Sequence, residues 1–220
     1  MNILLMVIEI LLSYFFIMFF YKKYKQEGLY LWILLFSILI GIMPYKTVEI
    51  FHLELNLGFV INALFFIVAN VLVQKKGPEE IKKVLSIIIL SNTMLFTISV
   101  VSMLITESSI NLKSNEAFNQ IFNLNSRVYF SSIISLCISL YLNSILYHQI
   151  RQLKNKLWIT NLLSTIIINL IECFLFCLIT YVFKVSFINL IELIVIRYMF
   201  KFVISIISIL LVYGLNKVES

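Results

Sequence analysis

Seven apolar stretches, each between 17 and 28 residues long, constrain the fold of this chain more than any other feature. About 20 apolar residues in a helix cross the hydrocarbon core of a bilayer. The stretches are residues 3–21, 28–44, 56–74, 84–105, 128–148, 158–183 and 187–214. Charged residues make up only 13% of the sequence, against about 25% in a soluble domain. The sequence therefore predicts an all-α, polytopic membrane helix bundle, with residues 1–220 forming a single integral membrane domain.

Lysine and arginine are distributed unevenly between alternate connectors of these stretches. An excess of basic residues marks the cytoplasmic side of a membrane protein. One set of connectors contains eleven basic residues, which are Lys22, Lys23, Lys25, Lys75, Lys76, Lys82, Lys83, Arg151, Lys154, Lys156 and Lys217. The other set contains only Lys46, Lys113, Arg127 and Lys184. We therefore predict a multi-pass protein of the inner (plasma) membrane, with its amino terminus outside and its carboxyl terminus in the cytoplasm.

Polar side chains recur at four-residue spacing in four of the stretches, which places them on one helix face. The stripes are Asn62, Asn70 and Gln74; Ser131, Ser135, Ser139, Asn143 and Tyr147; Asn161, Thr165, Asn169 and Glu172; and Arg197, Lys201, Ser205 and Ser208. Hydrogen bonds between helices account for most Ser and Thr positions. A charge at the bilayer centre costs about 2.5–3.5 kcal/mol on insertion scales. The three charged residues therefore indicate a polar site enclosed by the bundle.

The last two stretches form a helical hairpin whose turn lies near residues 184–186. Folding the chain there brings Glu172 and Arg197 to the same depth, near the middle of the membrane. An opposite charge at equal depth makes a buried arginine tolerable. We therefore predict a contact between Glu172 and Arg197, with Lys201 left to face a cavity or a ligand.

Motifs of enzymes and cofactor sites are missing from the sequence. It contains no HExxH motif, no phosphate-binding glycine loop, and no Ser or Cys nucleophile with a nearby base. Cys137, Cys173 and Cys177 lie in apolar stretches, and we interpret them as packing residues. No basic stripe is interleaved with aromatic residues, as a nucleic-acid surface would require. We expect a protein that is not an enzyme, with no metal, no cofactor and no nucleic-acid partner.

Short motifs follow one another along nearly the whole chain. They are Glu27 to Trp32, Lys46 to Phe51, Leu55 to Gly58, Phe66 to Gly77, Ile121-Phe122, Arg127, Leu157-Trp158, Asn161, Ser164-Thr165, Asn169, Glu172 and Lys201. As an ordered set they resemble the queuosine precursor transporter family, also called the vitamin uptake transporter (VUT) family, of which the chain would be a divergent member. The resemblance implies a six-helix core similar to the substrate-binding subunits of energy-coupling-factor transporters, plus an extra amino-terminal helix.

The resemblance also implies a substrate path. By position, the path would contain Asn70, Gln74, Asn143, Asn169, Glu172 and Lys201. Relatives often carry Asp, Glu, Asp, Gln and Asp at the first five of these positions, so three anionic groups are neutral amides here. A cationic precursor would lose strong charge partners. Together with Asn62 and Arg197 from the polar stripes, these residues form the predicted substrate-binding site, which suits a neutral or anionic heterocycle.

The function that we expect is import of a small heterocyclic molecule, foremost a queuosine precursor (a 7-deazapurine) or a related nucleobase or vitamin. The alternative is a substrate-binding subunit of an energy-coupling-factor-type vitamin transporter. Such subunits usually present Ala every four positions on their first helix, whereas residues 4–21 contain no Ala and no Gly. Because membrane helices approach closely through small residues, an ATPase partner is disfavoured. The expected partners are the bilayer and a small-molecule substrate, and a homo-oligomer is left open.

Overall fold

The computed structural model describes residues 2–50, 53–105, 112–123, 127–153, 156–207, 209 and 214. The helices are α1 (Asn2–Ile42), α2 (Gly58–Lys76), α3 (Glu80–Met103), α4 (Leu112–Phe122), α5 (Arg127–Leu153), α6 (Leu157–Tyr181) and α7 (Phe187–Ile207). A 3-10 turn, Met43–Tyr45, and an antiparallel hairpin of β1 (Thr47–Ile50) and β2 (Leu53–Asn56) connect α1 to α2. Ser208, at the end of one polar stripe, lies outside the described residues.

The prediction of an all-α membrane bundle is confirmed. Four described regions are long and apolar enough to cross a membrane, namely Leu4–Tyr45, Glu80–Met103, Lys113–Leu153 and Leu157–Tyr181. The first of these regions overlaps the first two predicted spans, and each of the other predicted stretches overlaps one of the helices α2, α3, α5, α6 and α7. The count of seven crossings stays a prediction.

The first helix is folded back on itself at Lys25, whose backbone has φ 53° and ψ −132°. In a straight helix, residues eight positions apart are separated by about 12 Å. Here a Cβ atom built on Gly28 would lie 2.1 Å from the carbonyl oxygen of Phe20. The two halves of α1 therefore run in opposite directions and meet at Gly28, where no side chain separates the two backbones. This break corresponds to the connector predicted between residues 21 and 28.

Substitution of Gly28 tests this close approach. We expect Gly28→Ala to lower the stability of the protein by about 1–3 kcal/mol, because the methyl group would overlap backbone atoms that cannot rotate away. Lys25→Gly should have the opposite sign, since glycine adopts positive φ without strain. Thermal unfolding of both variants in detergent measures the two effects. Equal melting temperatures for wild type and Gly28→Ala would contradict the folded-back arrangement.

The second helix, α2, is the central helix of the bundle. All of its residues from Ile61 to Val73 are buried. On one side it packs against α1, where Trp32 stacks on Phe36 at 4.3 Å between ring centroids and lies 5.0 Å from the ring of Phe65. On other sides it contacts α5, α6 and α7. Because α2 has α1 on one side and α5, α6 and α7 on the others, polar groups on α2 lie in the interior and not toward lipid.

One end of the bundle carries the β hairpin and α4, neither of which the sequence predicts. The Asn56 side chain at the end of β2 donates from Nδ2 to the carbonyl oxygen of Pro44, at 2.7 Å. The hydroxyl of Tyr45 donates to the carbonyl oxygen of Ile121 in α4, at 3.1 Å. The hairpin is thereby tied to the turn that follows α1 and to α4. With the predicted orientation, this end of the bundle faces outward.

Candidate functional site

The polar stripes of α2, α5, α6 and α7 face one another in the bundle interior. Seven of the eight predicted site residues are buried, and these are Asn62, Asn70, Asn143, Asn169, Glu172, Arg197 and Lys201. The eighth, Gln74, is half-buried near the end of α2. The four helices bring these side chains together because α5, α6 and α7 turn their apolar faces outward and their polar faces toward the buried helix α2.

Glu172 and Lys201 form an ion pair between α6 and α7, and 0% of either side chain is exposed. The other carboxylate oxygen of Glu172, Oε1, accepts a hydrogen bond from Asn62 Nδ2 at 2.6 Å. Three helices therefore meet at one carboxylate. Hydrogen bonds to an ionised group are stronger than those between neutral groups, so we regard this cluster as the strongest polar contact between α2, α6 and α7.

The predicted contact between Glu172 and Arg197 is wrong, because Glu172 pairs with Lys201. The reason is the direction in which helical side chains lean. Every side chain tilts toward the amino terminus of its own helix. In the α6–α7 hairpin, Glu172 therefore leans away from the turn, whereas residues of α7 lean toward it. Lys201 starts one helical turn farther from the hairpin turn than Arg197, so it leans into Glu172 while Arg197 leans past it.

Arg197 is buried, with 3% of its surface exposed, but its surroundings differ from those of Lys201. Its guanidinium carbon lies 4.0 Å from the ring centroid of Phe176, a cation–π contact with α6. Its Nη1 donates a long hydrogen bond, 3.4 Å, to Oδ1 of Asn56. Its Nε has no hydrogen-bond partner among the described residues. Arg197 thus connects α7 to α6 and to the end of the β hairpin.

A second polar cluster lies farther along the same helices. Asn143 Nδ2 on α5 donates to Asn70 Oδ1 on α2 at 2.7 Å, and Asn70 Nδ2 donates to Ser164 Oγ on α6 at 3.2 Å. Asn70 follows Asn62 by eight residues on α2, and Ser164 precedes Glu172 by eight on α6. Since eight residues span about 12 Å of helix, the two clusters form two layers across antiparallel helices.

Between the layers, Asn169 Nδ2 on α6 donates to Ser205 Oγ on α7 at 2.8 Å. Several acceptor atoms of the interior have no hydrogen-bond partner within the described part of the chain, namely the side-chain oxygens of Asn62, Asn143, Asn161, Thr165 and Asn169. Buried polar atoms are normally satisfied. Five unused acceptors on three neighbouring helices therefore mark a place where a ligand with hydrogen-bond donors can bind.

The interior site is closed in this structure. Lys201 does not face a cavity as predicted, since it is fully buried against Glu172. Two clefts lie elsewhere, and neither includes a residue of the two polar layers. One of about 210 Å³ lies between α3 and α5 beside Phe96 and Tyr129. The other, of about 470 Å³, lies between the start of α1 and the β hairpin.

Three residues of the site were not among the predicted site residues. Ser164 joins α6 to α2, and Ser205 joins α7 to α6. Asn56 contacts Arg197 from the β hairpin. Ser205 lies in the stripe of Arg197 and Lys201, so its spacing was a usable signal. Ser164 precedes the stripe residue Thr165 by one position, and a helix face wider than one row would include it. Asn56 comes from a strand, which no helical spacing can place.

A bundle of apolar helices around buried charges and amides defines a multi-pass membrane protein with an intramembrane polar site, the kind of site that lines substrate paths. The model of the family described as "Putative vitamin uptake transporter" matches residues 56–215, which is most of the chain. The chain therefore belongs to this transporter family, and the resemblance found in the sequence is confirmed. It follows that the protein is a multi-pass membrane transporter for a small molecule.

Among curated proteins, the chain is similar to the "Probable queuosine precursor transporter" of Bacillus subtilis (strain 168). The two sequences are 27% identical over 206 residues, which cover 91% of this chain and 89% of the relative. No solved structure matches the chain. The family match over residues 56–215 includes all four helices that form the polar interior.

Proposed function

We propose that this protein imports a small, flat heterocyclic molecule, foremost a 7-deazapurine precursor of queuosine or a related nucleobase or vitamin. The name of the Bacillus subtilis relative supports this class of substrate. The observation that carries the proposal is the buried amide network, in which three helices (α2, α5 and α6) direct amide side chains into one interior and leave several of their oxygens without a hydrogen-bond partner among the described residues. Heterocycles with adjacent N–H and C=O groups have hydrogen-bonding edges that match such amides.

The amide pair of Asn143 and Asn70 supports this proposal, because it offers a contact that a heterocycle can enter. In the closed structure one amide donates to the oxygen of the other, at 2.7 Å. A heterocycle edge with one donor and one acceptor can lie between the two amides, donating to Asn70 Oδ1 and accepting from Asn143 Nδ2. No buried group is then left unpaired, which keeps the desolvation cost low. The unused oxygens of Asn143 and Asn169 can accept further hydrogen bonds from ring N–H or amino groups.

The charges of the site favour a neutral or anionic substrate. Glu172 is neutralised by Lys201, and Arg197 adds a positive charge close by. A cationic substrate would meet this positive charge in a medium of low dielectric constant, where repulsion is strong. The neutral amides at Asn70, Gln74 and Asn143 supply no compensating negative charge. We therefore propose that uncharged deazapurines are preferred over those with an aminomethyl or other basic substituent.

A thermal-shift screen of the detergent-solubilised protein tests this function directly. Purines, 7-deazapurines and water-soluble vitamins are added at equal concentration, and the melting temperature is measured. A ligand that binds only the native state must raise the melting temperature, by an amount that grows with its concentration relative to Kd. Uptake of the best ligand into proteoliposomes then checks transport. A positive shift from a vitamin alone, with no deazapurine response, would contradict the deazapurine proposal.

Asn143→Leu tests whether the amide network binds the substrate. We expect affinity for the best ligand to fall about tenfold to hundredfold, because an amide hydrogen bond in a buried site is lost and its partner is left unsatisfied. Tyr141→Phe is a matched control, since Tyr141 is 49% exposed on the outward face of the same helix. Kd is measured by titrating the ligand into the folded protein after it has been separated from aggregates. Equal affinities for Asn143→Leu and wild type would mean that Asn143 does not bind the substrate.

The alternative, a binding subunit of an energy-coupling-factor-type transporter, finds no support on the surface of α1. The outward positions of its first half are large side chains, namely Leu4, Leu5, Val7, Ile8, Leu11, Leu12, Phe15, Phe16 and Phe19. Close helix docking needs small residues. We therefore propose that the protein works without an ATPase module, and purification from the native membrane without a bound ATPase is the expected result.

A further inference from the structure

The charge of Arg197 has no carboxylate partner within ion-pair distance in the described part of the chain. The nearby Glu172 uses its two oxygens for Lys201 and Asn62. A buried charge is costly unless it is paired or used. An arginine that is 3% exposed and lacks an anionic partner therefore needs another compensation, and the groups that surround it indicate what that compensation is.

The groups around Arg197 leave much of its binding capacity unused. A guanidinium has five N–H donors in a planar fork that suits an oxygen with two lone pairs. Among the described residues Nε has no hydrogen-bond partner, the hydrogen bond from Nη1 to Asn56 is 3.4 Å long, and a further polar neighbour is the weakly accepting thiol of Cys173. The ring of Phe176 covers one face of the guanidinium at 4.0 Å. The guanidinium therefore has one face covered by an aromatic ring and N–H donors that are only weakly used, so it can still bind an oxygen atom of a ligand.

The oxygen that now contacts Arg197 belongs to Asn56, whose Nδ2 also donates to the carbonyl oxygen of Pro44. Asn56 ends β2, and its Oδ1 also accepts a hydrogen bond from the Tyr181 hydroxyl at 3.1 Å. Through this one oxygen, the β hairpin is joined to α6 and α7. A carbonyl or carboxylate oxygen of a ligand offers Arg197 the same chemistry as Oδ1 of Asn56 with better geometry, because a ligand is free to approach the fork in its plane.

We propose that Arg197 binds a carbonyl or carboxylate oxygen of the transported molecule, and that Asn56 Oδ1 occupies this position until the substrate displaces it and so breaks the contact between the β hairpin and α7. This inference rests on the proposed function and adds to it the group of the substrate that is recognised. Lys201 has a different role, since its ion pair with Glu172 neutralises it. Arg197 is then the group that selects substrates with an oxygen at this position. Asn56 links binding of the substrate at Arg197 to the contacts of the β hairpin.

Two probes that differ at one edge test the recognition of oxygen. 7-Deazaguanine has a carbonyl oxygen at C6 and a hydrogen on N1, where 2,6-diamino-7-deazapurine has an amino group at C6 and no hydrogen on N1. We expect wild type to bind the carbonyl probe about tenfold to hundredfold more tightly, the range for one hydrogen bond to a charged group. Arg197→Met keeps the volume and the contact with Phe176 but removes all N–H donors. In this variant most of the preference for the carbonyl probe should be lost.

The outcomes separate the inference from the proposed function. If Arg197→Met keeps the wild-type preference for the carbonyl probe, the inference is overturned while the function stands. If wild type binds neither probe, the proposed function fails and the inference fails with it. The melting temperature without ligand is measured for each variant, and Arg197→Lys serves as a second variant that keeps the charge and should keep part of the preference.

Asn56 variants test the displacement step. Asn56→Asp places a carboxylate on Arg197 that a neutral ligand cannot easily displace, so affinity for 7-deazaguanine should fall about tenfold or more. Asn56→Ala removes the competing oxygen, so affinity should equal or exceed that of wild type. Wild-type affinity in Asn56→Asp, or a large loss of affinity in Asn56→Ala, would overturn the displacement.

Discussion

Glu172→Leu should destabilise this protein by about 3–5 kcal/mol and abolish uptake. Removing one partner of a buried ion pair leaves the other charge without compensation, which is the source of the large cost. In this variant the ammonium of Lys201 loses its carboxylate, and Asn62 Nδ2 loses its acceptor. Thermal unfolding in detergent and uptake into proteoliposomes measure the two effects. Glu192→Leu is the control, because Glu192 is exposed on α7 and its replacement should change stability by less than about 0.5 kcal/mol.

The double variant Glu172→Leu/Lys201→Met separates stability from transport. Replacing both members of a buried pair by apolar groups of similar volume is often neutral or stabilising, so the double variant should regain most of the stability lost in Glu172→Leu. We expect no recovery of uptake, because the centre of the polar interior is then apolar. If the double variant transports at the wild-type rate, the ion pair is only a structural contact between α6 and α7.

The interior of the bundle was predictable from the sequence because helical spacing is a strong signal. Polar residues at four-residue intervals on α2, α5, α6 and α7 were expected to face inward, and seven of the eight predicted site residues are buried. The inference needs only the helical repeat and the cost of exposing polar groups to lipid. Those two rules do not depend on how the helices are arranged around one another, so they hold before the fold is known.

Pairing within the interior was less predictable, and the partner of Glu172 shows why. Depth along the helices placed Glu172 level with Arg197, but a side chain is not a point at the height of its Cα atom. Leaning toward the amino terminus moves a long side chain by roughly one helical turn relative to a partner on an antiparallel helix. The lean of helical side chains toward the amino terminus therefore selects Lys201. Counting residues from the hairpin turn failed because it ignores this lean.

The β hairpin was missed for a different reason. Its strands have four residues each, and the hairpin lies between two long apolar stretches that dominate any search for spans. Thr47, Glu49, Glu54 and Asn56 do alternate with apolar residues, which is the strand pattern. A two-stranded hairpin is only marginally stable alone, so its formation depends on contacts such as those of Asn56 with Pro44 and Tyr181. Those contacts exist only in the assembled bundle.

Asn70→Asp should change the substrate preference from neutral to cationic heterocycles. The pattern of the resembled family has Asp at this position, and here Asn70 is fully buried between Asn143 and Ser164. A carboxylate is nearly the same shape as the amide. It can accept hydrogen bonds from Asn143 Nδ2 and from the hydroxyl of Ser164, so the layer can stay intact. The new negative charge would then attract a basic substituent in a medium of low dielectric constant.

We expect the ratio of affinities for an aminomethyl-substituted 7-deazaguanine over its uncharged parent to rise about tenfold to hundredfold in Asn70→Asp, as for one charge-assisted hydrogen bond. The matched control is Asn92→Asp, which makes the same change at another buried asparagine, on α3 beside Tyr129 and outside the two polar layers. Both variants carry the cost of burying a carboxylate, so a fall in melting temperature common to both says nothing about the site. Only a substrate that binds beside Asn70 can change the ratio in one variant and not in the other. An unchanged ratio in both would mean that the layer of Asn70 and Asn143 holds helices together and that the substrate binds elsewhere.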